Sequence, residues 1–202
     1  MSKKKFFPII GAIFCTILLT SVLFVTGINN SITIRNKYPL IKSTDYQFDI
    51  MNMNFTDSVK YAPNIAELEI VECLPNYAII VEDKEANISS KVIFKQYKAR
   101  VLDDIAQTQF EIDNDGTITI CFAECFAKSY PNLTSGLKII CSIEPAAKDH
   151  LGKYLLYDKV FYYIDNELAL AAYEGDTSPA SKYCSKLDLI QEIKCIRNSI
   201  AN

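Results

Sequence analysis

The side chains best suited to chemistry are few in this chain, and their spacing fits no common active site. His150 is the only histidine among 202 residues, although hydrolytic triads and most two-metal sites need one. It lies in the polar stretch AAKDHLGK, and the chain contains no G-x-S-x-G motif. The adjacent carboxylates Glu82/Asp83 and Asp103/Asp104 would point to opposite faces of a strand and so would not share a proton. We therefore predict no catalytic residue and a protein that is not an enzyme.

A second possible site is the acidic segment EIDNDG. Glu111, Asp113 and Asp115 have the spacing of the first half of a calcium-binding loop, but the loop needs a glutamate at its twelfth position, which here is Phe122. The stretch 114–116 is also typical of a tight hairpin turn, because Asp-Gly tolerates positive φ, and we favour that interpretation. The sequence has neither a P-loop nor a G-x-G-x-x-G motif. We expect no metal and no cofactor.

Six cysteines follow the N-terminal segment, and an even number permits disulfides in an exported domain. The possible disulfide cysteines are Cys73, Cys121, Cys125, Cys141, Cys184 and Cys195. Cys121 and Cys125 would lie about 13 Å apart on one strand, which is too far for a mutual bridge. All six can equally be free thiols that pack as small hydrophobic side chains, since a domain of this size needs no disulfide. Both interpretations stay open.

Aromatic side chains are concentrated in the segment KYLLYDKVFYYID. The candidate binding aromatics are Tyr154, Tyr157, Phe161 and Tyr163. Alternation along a strand would send part of this set outward, and exposed tyrosine supplies contact area at a low cost in conformational entropy. Ordinary cross-strand pairing within a sheet explains the same residues.

The location of all these residues depends on the first 27. Pro8 to Gly27 are 20 uncharged residues, which as a helix span about 30 Å, the thickness of a bilayer core. Three lysines within residues 1–7 precede them, so the positive-inside rule places that end in the cytoplasm and the remainder outside. We predict a transmembrane helix over 8–27, as the signal anchor of a single-pass plasma-membrane protein. A signal peptide cleaved after Gly27, giving a secreted protein, is the alternative.

The charge balance indicates which partners to expect. After Gly27 the chain carries all 24 acidic residues and 18 of the 21 basic ones, a net charge of −6. Nucleic-acid binding needs a surface rich in lysine and arginine, so we exclude it. The expected partners are the membrane, through the N-terminal helix, and a protein or another component of the cell envelope.

The elements that must position these residues are mostly strands. Residues 28–61 are polar with little periodicity, which predicts a stalk. Over residues 62–202, short runs alternate apolar and polar side chains with period two, most clearly where Ile118, Ile120 and Phe122 alternate with polar or small residues. Three dipeptides are predicted to be turns between strands: Pro75-Asn76, Asp158-Lys159 and Asp165-Asn166.

One amphipathic helix is predicted at the C-terminal end, after a plausible N-cap at Ser185. Leu189, Ile193, Ile196 and Ile200 would line one face. Six or seven strands followed by one terminal helix predict a mainly β domain, either a small barrel or a sandwich.

The chain also resembles a group of proteins. The segments ELEIVEC, YKARVLDD, GTITICF, LKIICSI and KVFYYIDN follow an export leader in this order, which is similar to uncharacterised membrane-anchored or secreted surface proteins of Gram-positive bacteria with an OB-like β-barrel. In those proteins a VL-K-G segment leads to a G-D-x-I-x-I strand, and VLDDIAQ and DNDGTITI match this in part. The resemblance covers roughly Ile65 to Asn166. It implies an OB-like fold and a surface location, and it transfers no catalytic residue.

Together these observations predict a non-enzymatic binding or cell-envelope interaction module, held by one N-terminal helix. A small secreted enzyme or enzyme inhibitor is the alternative.

Overall fold

The computed structural model describes residues 34–42, 54–83, 88–106, 111–146 and 152–199. The chain divides into two compact units, Met1–Pro39 and Leu40–Asn202. The predicted transmembrane helix over 8–27 and the basic end over 1–7 lie outside the described residues. Within the described ranges, no helix has the length and apolar character needed to cross a membrane.

The second unit is mainly β with a C-terminal helix, as predicted from the sequence. Its elements are α1 (Phe55–Tyr61), β1 (Asn64–Asp83), β2 (Ile88–Asp104), β3 (Thr117–Ala123), a 3-10 helix (Glu124–Ser129), β4 (Lys138–Pro145), β5 (Lys153–Asp165), β6 (Leu168–Ala171), a second 3-10 helix (Pro179–Lys182), β7 (Cys184–Ser185) and α2 (Lys186–Asn198).

The strands form one seven-stranded sheet in the order β3-β2-β1-β4-β5-β6-β7. All neighbours in that order are antiparallel. In addition, β3 pairs in parallel with β5, where Ile120 is opposite Tyr154. The pairings β3-β2-β1-β4-β5-β3 therefore form a closed circuit of five strands, and β6 and β7 extend the sheet beyond it.

One set of alternating side chains lies inside this circuit. Cross-strand partners share a face of a sheet, and the pairs Ile70↔Ala99, Ala99↔Ile118 and Ile139↔Tyr163 run from strand to strand around it. The buried members of this set are Leu68, Ile70, Tyr97, Ala99, Ile118, Ile120, Ile139, Cys141, Ile143, Leu156, Phe161 and Tyr163. The inner set forms a hydrophobic core, because apolar side chains from all five strands are buried there away from water.

A second core lies on the outer face of the circuit. Residues of β1, β4 and β5 there pack against β6, α1 and α2; they include Ile65, Ile140, Tyr162, Phe55, Val59, Ala169, Leu189, Ile193 and Ile196. Leu189, Ile193 and Ile196 of the predicted apolar face of α2 are thus buried, whereas Ile200 lies outside the described residues. The hydroxyl of Ser185 caps this helix by accepting from the backbone N–H of Asp188.

The stretch 28–61, expected to be a stalk, contains elements of the folded unit. Phe55 and Val59 of α1 are buried in the outer core. Before α1, Ile41 forms a single parallel bridge with Tyr173. Its backbone N–H donates to the carbonyl of Ala172 at 2.8 Å, and its carbonyl accepts from the N–H of Glu174 at 3.0 Å. The folded unit therefore begins earlier than residue 62.

Two of the predicted turns are irregularities within continuous strands. Leu74 is opposite Gln96 and Tyr77 is opposite Phe94, so Pro75-Asn76 is a bulge in β1. A bulge is one of the few places where a strand accepts proline. Asp158-Lys159 likewise lies within β5, at a register shift of its pairing with β4. The third prediction is right, because residues 166–167 turn between β5 and β6.

Candidate binding surface

The outer face of β2 carries polar and charged side chains next to β3. On β2, the buried Tyr97 and Ala99 point inward, so Gln96, Lys98 and Arg100 between and beside them point outward. These three side chains are half-buried or exposed, and they form one row on the outer face of β2 next to β3. This row is part of a candidate binding surface, and the other part is an aromatic pair.

The cations of this row are paired with carboxylates. The Nζ of Lys98 lies 2.7 Å from an Oδ atom of Asp115, and a guanidinium nitrogen of Arg100 lies 3.1 Å from an Oε atom of Glu69. Hydrogen bonds from Lys98 and then from Thr117 lower the pKa of Asp115 to about 2. Asp115 thus holds the turn before β3, which agrees with the hairpin interpretation of this segment and leaves the row close to neutral.

The aromatic pair lies at one end of the row. The rings of Tyr77 and Phe94 stack with 5.3 Å between their centroids. The Nζ of Lys153, at the start of β5, lies 4.6 Å from the centroid of the Tyr77 ring. The phenol O–H of Tyr77 donates to the Sγ of Cys121 at 3.2 Å. These contacts hold the Tyr77 ring in one orientation, so the pair is a preformed apolar platform beside amide and cationic groups.

Three of the six thiols are poorly suited to nucleophilic chemistry. All six cysteines proposed for disulfides are free in the structure. Burial raises the pKa of Cys121, and it raises the pKa of Cys141, inside the circuit, even more. Burial raises the pKa of Cys184, and the negative charge of Asp188 raises it further. A raised pKa lowers the fraction of thiolate, which is the reactive form.

The aromatic residues that the sequence suggested for binding do not form the surface. Tyr154, Phe161 and Tyr163 are buried, and the Tyr157 side chain lies outside the described residues. Phe161 is opposite Cys141 and Tyr163 is opposite Ile139, both on the inner face. The prediction that these aromatic residues are exposed is therefore wrong for Tyr154, Phe161 and Tyr163, which pack in the core.

The distal half of the β1–β2 hairpin is a second unusual surface. We call residues 78–83 and 88–93 the ribbon, because they pair with each other and with no other described strand. Ile80 is 67% exposed, Val81 52% and Ile93 39%. Successive residues of a strand point to opposite faces, so Ile80 and Val81 expose aliphatic side chains on both faces of the ribbon.

The residues considered for catalysis are not brought together. His150 lies outside the described residues, and Glu82 is exposed on the ribbon. Asp103 is 3.9 Å from the Nζ of Lys194 at an exposed position. Among the described residues, no group of three histidine, cysteine or acidic side chains could hold a metal ion.

A local sequence pattern is sufficient to identify the outer row. The run KQYKARVL shows which residues alternate inward, and the same alternation identifies Gln96, Lys98 and Arg100 as the outward set. Tyr77 and Phe94 carry no such signal, because their contact depends on the register of a long hairpin. No family model matches the chain, and a search of curated proteins finds no significant match.

Proposed function

We propose that this chain is a non-enzymatic binding module with an OB-like barrel, displayed outside the cell by an N-terminal membrane anchor. The closed circuit supports the barrel, because antiparallel β1-β2-β3, β1–β4 and β4–β5 pairings with a parallel β3–β5 pairing are the strand order of an OB-fold. The length of the uncharged segment over 8–27 supports the anchor.

The observation that carries the binding role is the platform of Tyr77 and Phe94 beside the row of Gln96, Lys98 and Arg100. OB-folds bind their ligands on the face of strands 2 and 3 and on the flanking loops. In this chain that face combines an aromatic pair, an amide and cations whose charge is largely paired. Such a face favours a neutral or mixed-charge partner, for which we propose a polymer or protein of the cell envelope.

The chemistry of the described side chains supports a role without catalysis. Burial holds the Cys121 and Cys141 thiols in the protonated form, and the carboxylates of Asp115 and Glu67 are engaged by lysines. A general base or nucleophile needs a pKa matched to the working pH and a partner that positions it. The two thiols have pKa values raised away from neutral pH, and the two carboxylates are held in ion pairs.

The binding role is tested by co-sedimentation of the purified protein with cell-envelope fractions. Arg100→Ala removes an exposed cation from the row, and we expect binding to weaken by about fivefold, equivalent to about 1 kcal/mol. Lys182→Ala is the matched control, because it removes the same charge from an exposed position in the second 3-10 helix. Equal effects of the two substitutions would show non-specific charge attraction and contradict the proposed surface.

The anchor is tested separately by membrane fractionation and N-terminal sequencing of the mature protein. Retention in the membrane with the lysines of residues 1–7 intact supports the anchor. A new terminus at Ile28 contradicts it and supports the secreted alternative.

A further inference from the structure

Within the described residues, no third strand pairs with the ribbon. It contains two strands, and an isolated two-stranded hairpin is marginally stable in water, whereas three or more strands with a hydrophobic face are stable. Its outer edges carry backbone N–H and C=O groups that no other described strand pairs. Unpaired edges of this kind are templates for pairing with another strand.

The two edges of the ribbon differ in charge. The open part of β2 carries Ser89, Ser90 and Lys91, and lysine at an edge is a common protection against strand addition. The open edge of β1 carries Ala78 to Val81, four consecutive residues without a charge, three of them β-branched, before Glu82. The β1 edge is therefore the one that accepts another strand.

The charges also distinguish a protein partner from a lipid surface. Glu82 and Lys91 are exposed next to the aliphatic residues, and charged groups are costly to carry into a bilayer. A second polypeptide can cover the aliphatic side chains and leave these charges in water.

We propose that two copies of this chain pair antiparallel through the β1 edges of their ribbons, about a two-fold axis at Ile80. This inference goes beyond the binding role proposed above. In this register Ile80 is opposite its own copy, Ile79 is opposite Val81, and Ala78 is opposite Glu82. The three central pairs are aliphatic and no like charges are opposed, so the edge is complementary to itself. The product is a continuous four-stranded ribbon.

The test measures the mass of the purified full-length protein by sedimentation, with any detergent density-matched. We expect the wild type to be a dimer. Ile80→Lys places two ammonium groups opposite each other and raises the dimer dissociation constant by about tenfold or more, since like charges directly opposite are destabilising. Leu187→Lys is the matched control, because Leu187 of α2 is 66% exposed and lies outside the ribbon; its dimer should be unchanged.

A mixture of variants examines the two-fold register itself. At a concentration where the wild type is dimeric and Ile80→Lys alone and Ile80→Glu alone are mostly monomeric, a mixture of the two should form a dimer, because lysine then lies opposite glutamate. Ile80→Thr, which keeps a β-branched residue, provides a milder disruption if either charged variant folds poorly. A monomeric wild type up to its solubility limit, or dimers of Ile80→Lys as stable as the wild type, would overturn the proposal. A mixture that stays monomeric would overturn the register.

Discussion

The ion pair between Lys186 and Glu67 joins the start of α2 to β1, and its loss should be costly. The Nζ of Lys186 lies 3.3 Å from both carboxylate oxygens of Glu67. The Glu67 side chain is 6% exposed and the Lys186 side chain 25%. At this distance the gross attraction is about 5 kcal/mol for an effective dielectric of about 20. Lys186→Met removes it and leaves a buried carboxylate without its cation.

We expect Lys186→Met to lower the free energy of unfolding by about 3 kcal/mol, the lower end of the range for breaking a buried pair. The lower end applies because a quarter of the lysine side chain is exposed, so water can partly replace it. For a protein of this size the loss corresponds to a decrease in Tm of about 6–12 °C. The measurement is urea unfolding followed by far-UV circular dichroism.

Two further variants separate this explanation from a general effect on α2. Lys194→Met breaks a pair on the same helix whose side chains are 43% and 42% exposed, and it should cost less than about 1 kcal/mol. The double variant Glu67→Gln with Lys186→Met should be more stable than the sum of the two single changes predicts. If Lys186→Met cost no more than Lys194→Met, Glu67 would be adequately solvated and the reasoning would be wrong.

Three other predictions follow from burial and charge. Leu189→Ala should cost about 3 kcal/mol in urea unfolding because Leu189 lies in the outer core, whereas Leu187→Ala should change stability by less than about 0.5 kcal/mol; equal costs would refute the assignment of the buried face. A thiol reagent at about pH 8 should label the exposed Cys73 in the native protein and Cys141 only on unfolding, because burial raises the pKa of Cys141. Asp115 should titrate near pH 2 by NMR. Because its folded pKa is lowered, its stabilising contribution is present above the unfolded value of about 4 and is lost as the pH falls through the folded value; a midpoint near 4 would contradict the ion pair.

Local sequence patterns were sufficient to predict a mainly β domain and to identify the buried face of α2. Period two in the segment around Ile118 and Ile120 identified inward residues of β3, and the apolar spacing of Leu189 and Ile193 identified the buried face of α2. Both patterns lie within one uninterrupted element, where a single phase of alternation applies throughout.

Two features of the strands depend on long-range pairing and could not be predicted from local sequence patterns: the bulge in β1 and the change of alternation in β5. Proline followed by asparagine suits a turn and also a bulge, and only the pairing of Tyr77 with Phe94 shows that β1 continues. In β5 the inward residues change from Leu156 to Phe161 and Tyr163 across the register shift, so the alternation changes phase. For this reason the tyrosines of β5 could not be divided correctly between core and surface from their spacing alone.

The bridge at Ile41 has a mechanical consequence for a domain held by its N-terminal side. Tension applied to Ile41 from the N-terminal side loads its two backbone hydrogen bonds before it loads α1 and the strands. Breaking two backbone hydrogen bonds costs less free energy than disrupting the outer core, so these bonds open first. A chain from Ile41 to Phe55 spans at most about 50 Å when fully extended, and that length limits the movement that opening these two bonds allows.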